Sequence, residues 1–89
     1  MRILGNLPHP RLKITLLHHG RYLLKLEDGD AETVYRFRDS EGVASVADAQ
    51  RVLDLGLLQE AEAILREMSA ARRRYAEAPP EQSEFPEIV

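Results

Sequence analysis

His9, His18 and His19 are the chain's three imidazoles, and all lie within its first 19 residues. Imidazole can ligate a metal or move a proton near neutral pH, so the spacing of these residues decides what they can do. Adjacent histidines in a turn diverge, and no His-x-His or His-x3-His pair brings two nitrogens onto one face. No cysteine is present to complete a ligand set. A metal site is therefore not expected, and the three histidines read as exposed turn and loop residues. Glu27, Asp28, Asp30 and Glu32 form the second concentration of reactive side chains. Acid–base work needs a carboxyl perturbed by burial or by a like charge, and a carboxylate-rich turn is normally solvated. Ser40, Ser45, Ser69 and Ser83 have no base beside them in an elbow motif, and the five glycines form no phosphate-binding loop. The expectation is a non-enzymatic chain with no catalytic residue, no cofactor and no small-molecule substrate.

The elements carrying these residues follow from period and punctuation. Residues 11–38 alternate apolar and polar side chains around two Gly-bearing turns, predicting strands at about 11–17, 21–27 and 31–38. Strands joined by tight turns run antiparallel. A three-residue loop His18-His19-Gly20 aligns Leu12 with Leu26, Ile14 with Leu24 and Leu16 with Tyr22, whereas a two-residue loop would set Ile14 against Lys25. Asp28-Gly29 suits a type I′ turn that pairs Lys25 with Glu32 and Tyr22 with Tyr35, with Asp30 as an alternative extension of the loop.

These registers sort the side chains into two faces. One collects Leu12, Ile14, Leu16, Tyr22, Leu24, Leu26, Thr33, Tyr35 and Phe37, and is assigned to the helices. The other presents Lys13, Thr15, Leu17, Arg21, Leu23, Lys25, Glu32, Val34, Arg36 and Arg38, with Thr15, Leu23 and Val34 in one cross-strand row. An apolar middle inside a charged rim is the composition of a modest protein interface. Thr15, Leu17, Leu23 and Val34 are the candidate interface residues.

Ser45 is a good N-cap, with Asp48 three residues on, and opens a helix over about 46–55. Gly56 is placed to close that helix in the left-handed conformation. A second helix over about 57–78 carries an apolar stripe of Leu58, Ala61, Leu65 and Met68, widened by Ile64 and Ala71. The run Gly56-Leu57-Leu58-Gln59-Glu60-Ala61, with Ile64 and Leu65 beyond, resembles the turn and second helix of a tetratricopeptide repeat. The resemblance spans one hairpin, and such arrays need about three copies to bury their faces. It implies a tight antiparallel helix pair and carries no peptide-binding residue to this chain.

The predicted architecture is α+β. A three-stranded antiparallel meander, four-stranded if Arg2–Leu4 adds a short edge strand, precedes a two-helix hairpin packed on one sheet face. Residues 1–78 read as one domain, and residues 79–89 as an acidic, Pro-containing, mobile tail. Glu81, Glu84 and Glu87 in that tail account for the net charge of −3, so the remainder is formally neutral.

The apolar stretches are too short and too often interrupted by charge for a signal peptide or a membrane span, and cytoplasmic residence is the expectation. A small core without disulfides gains from association. The favoured function is a protein-interaction domain that self-associates, as a homodimer, through the free sheet face or an edge strand, or that binds another protein. The alternative is nucleic-acid binding through Lys13, Arg21, Lys25, Arg36 and Arg38 on the same face.

Overall fold

The computed structural model describes residues 1–76. The expected tail at 79–89 and residues 77 and 78 of the expected second helix lie outside the described residues. Four strands, β1 (Arg2–Leu7), β2 (Lys13–His18), β3 (Tyr22–Asp28) and β4 (Ala31–Phe37), form an antiparallel sheet in chain order. A 3-10 turn at Asp39–Glu41 leads to α1 (Val46–Val52), a wide turn at Leu53–Leu57, and α2 (Leu58–Ala76).

The expected edge strand is present and longer than the residues 2–4 assigned to it. Gly5, Asn6 and Leu7 pair with Leu16, Thr15 and Ile14, and an irregularity at Leu4 shifts the register between Ile3 and Gly5. Pro8 and Pro10 then stop the pairing, because neither offers an N–H. Gly5 faces the helices. A Cβ built there would stand 2.6 Å from Cγ2 of Val46, so the missing side chain is what lets α1 seat on the edge strand.

Both hairpins place every side chain on the expected face but pair it with a different partner. In the first, Ile14 opposes Leu26, Leu16 opposes Leu24 and His18 opposes Tyr22. The loop keeps three residues but is His19-Gly20-Arg21, with Gly20 at φ 75° in its middle. His18 is therefore a strand residue, its ring tilted against Tyr22 at 4.6 Å between centroids. In the second, Asp28 opposes Ala31, Lys25 opposes Val34 and Tyr22 opposes Phe37 around a Gly29-Asp30 turn. Gly29 at φ 61° with no positive φ at Asp30 describes a type II′ turn, which needs glycine first.

The core forms on the expected face. Leu7, Leu12, Ile14, Leu16, Leu24 and Leu26 from the sheet side meet Val43, Ala49, Leu53, Ala61 and Leu65, with Tyr35 and Phe37 packed at the margin. Ala49 and Ala61 are fully covered, and their small side chains let the helical layer approach closely. Burial of a side chain such as Leu65 is worth about 1.5–3 kcal/mol.

The helical layer departs from the expected two-helix hairpin. Val46–Ala76 is one long helical run with a kink, in which Gly56 stands at φ 133°. Its two segments make almost no contact with each other: α1 packs on β1, and α2 on β3 and β4. The glycine bends the chain without ending the run, because the Leu58 N–H donates to the Leu53 carbonyl and carries backbone bonding across the bend. The tight helix pair implied by the tetratricopeptide resemblance is absent for the same reason.

Ser45 caps α1 as expected, its hydroxyl oxygen accepting from the Asp48 N–H at 3.1 Å. The Asp48 carboxylate accepts in return from the Ala44 N–H at 3.2 Å, one residue earlier than a capping box would have it. The Ala44 N–H, the Ser45 hydroxyl and the Arg51 guanidinium together hold the Asp48 carboxyl below its ordinary value.

Candidate functional site

The sheet face away from the helices carries all four candidate interface residues, but Leu23 leaves the expected row with Thr15 and Val34 and joins Leu17. Asn6, Thr15, Lys25 and Val34 form one row across the sheet, and Ile3, Leu17, Leu23 and Arg36 form the next. The apolar centre is thus Ile3, Leu17 and Leu23, and Lys25 stands between Thr15 and Val34. Ile3 was absent from the sequence-based set because the edge strand carrying it was read only as an option.

Exposure differs sharply within this set. Ile3 is 64 % exposed, whereas Thr15 and Leu17 are only 6 % and 8 % exposed. They lie on the interior strand β2, where neighbouring side chains close over them. The Thr15 hydroxyl donates to Asn6 Oδ1 at 3.1 Å, so its polar group is already satisfied. Together they floor an open depression of about 290 Å³ whose lining includes Met1, Ile3, Lys13, Lys25 and Glu27.

The charges on this face are mixed. Lys25 Nζ lies 3.6 Å from Glu27 and 4.0 Å from Glu32, so one ammonium serves two carboxylates. Lys13 and Arg36 have no ion-pair partner among the described residues. Of the five candidate nucleic-acid contacts, Lys13, Lys25 and Arg36 lie on the strands of this face. Arg21 belongs to the loop between β2 and β3, and Arg38 opens the 3-10 turn, its N–H donating to Glu41 Oε1. Tyr22, Tyr35 and Phe37 face the helices, as expected, and provide no stacking platform here.

The expected acidic cluster is dispersed. Glu27 and Glu32 flank Lys25, while Asp28 Oδ2 accepts from Arg11 Nη1 at 2.6 Å and Asp30 lies 3.5 Å from Arg72. Glu27 and Glu32 thus face each other across the strands and share Lys25, while Asp28 and Asp30 each meet an arginine of their own.

A polar network at the end of the sheet escaped sequence reasoning. His9 is largely buried rather than exposed: its Nδ1 accepts from the backbone N–H groups of Arg11 and Leu12 at 3.0 and 2.9 Å. With Nδ1 so engaged, Nε2 carries the proton and meets Glu62 Oε2 at 3.3 Å. Arg11 reaches the same carboxylate oxygen at 3.3 Å as well as Asp28. The network ties the Pro8–Leu12 connector and the tip of the second hairpin to α2. Both imidazole nitrogens are committed to these bonds, which suits a structural pin. Among the described residues no group of three His, Cys, Asp or Glu is arranged to hold a metal ion, and no helix is long and apolar enough to cross a membrane.

No protein-family profile, curated protein or solved structure matches this chain.

Proposed function

We propose that this chain is a small, non-enzymatic protein-interaction domain whose free sheet face is the contact surface. The supporting observation is the apolar row Ile3, Leu17 and Leu23, bordered by charges on the sheet face that no helix covers among the described residues. A desolvated centre with a polar border is how protein interfaces are built. Sheet-to-sheet self-association would use this row, but the unpaired Lys13 and Arg36 of one copy find only carboxylates already shared with Lys25 on the other. A partner protein whose rim carries acids meets both cations.

Nucleic-acid binding has less support. Glu27 and Glu32 stand in the same row as Lys13, and like the phosphates they would face they are anionic.

A photo-crosslinking residue in place of Ile3, carried by the full chain in its native cells, tests the reading. It should give a discrete protein adduct that Leu23→Glu removes, while the same probe at Leu55, exposed in the helical layer, gives none. An adduct of twice the chain's mass would identify the partner as a second copy. Absence of any protein adduct at Ile3, or one unaffected by Leu23→Glu, would overturn the proposal.

A further inference from the structure

Along α2, Ala61 and Leu65 are fully buried against the sheet, but a second stripe on the same helix has no cover among the described residues. Ile64 is 42 % exposed, Met68 40 % and Tyr75 76 %, and the half-buried Ala71 lies between the last two. Their spacing of four, three and four residues is that of a helix seam that packs on another helix. Arg72 of the same helix is occupied by Asp30. Glu67 and Arg74, on the far side of the stripe, have no ion-pair partner among the described residues.

We infer that this stripe is a self-association surface on which α2 of a second copy lies antiparallel. In that arrangement Ile64 meets the second copy's Tyr75 and Met68 meets its Ala71, so a large residue faces a small one at the centre. Glu67 then faces the second copy's Arg74, and symmetry repeats the pair. The occupant is chosen by this charge complementarity, which a copy of the same helix supplies twice over. The sheets are carried on the N-terminal halves of α2, so antiparallel overlap from Ile64 to Tyr75 sets them at opposite ends and leaves both free sheet faces open. A single antiparallel helix pair meeting over Ile64 to Tyr75 is a small contact beside the standard specific interface of about 1,600 Å². The dimer is accordingly weak and concentration-dependent.

Sedimentation equilibrium of the full chain tests this. The weight-average mass should climb from monomer towards dimer as the concentration rises from about 10 µM to about 500 µM, the range expected of so small an interface. Met68→Glu should hold it at monomer with an unchanged circular dichroism spectrum, and Ile3→Glu on the sheet face should leave the climb intact. Glu67→Arg and Arg74→Glu should each weaken association, and the double variant should restore it. A wild-type monomer throughout, dimers that survive Met68→Glu, or a double variant no better than the singles would overturn the inference. Loss of the climb in Ile3→Glu but not in Met68→Glu would assign self-association to the sheet face instead.

Discussion

Replacing Gly5 by alanine tests how closely the helical layer rests on the sheet. The added methyl carbon would stand 2.6 Å from Val46 Cγ2, far inside van der Waals contact. Val46 cannot turn aside cheaply, because a β-branched side chain in a helix has one strongly preferred rotamer. The helix start must lift or the strand must sink, and overpacking of this kind costs about 1–3 kcal/mol. Alanine also narrows the unfolded ensemble, which offsets about 0.4–1 kcal/mol at a position whose backbone it can adopt. A net loss of about 1–2 kcal/mol is expected. A chain of this size has on the order of 4–13 kcal/mol in total, so the effect is large enough to measure. Urea unfolding followed by circular dichroism should show a lower midpoint with an unchanged slope. Val46→Ala in the same chain should recover about 1–2 kcal/mol relative to additivity, because the clashing methyl is gone. A Gly5→Ala variant as stable as the parent, or a double variant whose losses simply add, would refute the claim that this glycine sets the helix–sheet distance.

Three further outcomes follow from particular bonds. His9→Ala removes the acceptor for two backbone N–H groups, of which the Leu12 bond is partly buried, and should cost about 1–2 kcal/mol in urea unfolding. Tyr35→Phe should raise stability by about 1 kcal/mol in the same assay, since the Tyr35 hydroxyl is buried without a partner among the described residues. The Asp48 carboxyl is held below its ordinary value of 3.8, chiefly by the Ala44 N–H, so its contribution is complete above that value. It is lost as pH falls through the lower, folded-state value. Asp48→Asn should therefore flatten the acid limb of the stability profile below about pH 4, measured by thermal unfolding across pH.

The faces of the sheet were legible because alternation has a period of two and one face had to be apolar. The partners were not, for the same reason: sliding a hairpin by two residues leaves every side chain on its face. Both hairpins differ from expectation by such a slide, with Gly20 in the middle of its loop and Gly29 opening its turn. That slide moved Leu23 from beside Thr15 to beside Leu17 and split the expected interface row. Gly56 carried an ambiguous signal, since a glycine after a helix can end it or bend it. The deciding bond, from Leu58 back to Leu53, becomes visible only once the backbone path is known. The His9 network brings Arg11 to Glu62, 51 positions further on, beyond what spacing in a single chain can reveal.

The order of the strands in the sheet, identical to their order in the chain, has a kinetic consequence. Each hairpin closes a short loop, so the meander can zip together from neighbouring segments at low entropic cost. The contacts that must wait for distant chain to return are those of α1 with β1 around Gly5 and Val46, and of Glu62 with the connector at His9 and Arg11. If the meander forms before the barrier and these closures after it, Gly5→Ala and His9→Ala should quicken unfolding while leaving the refolding rate nearly unchanged. The helical layer is then the latch that sets how long the domain stays folded, and the sheet sets how fast it forms.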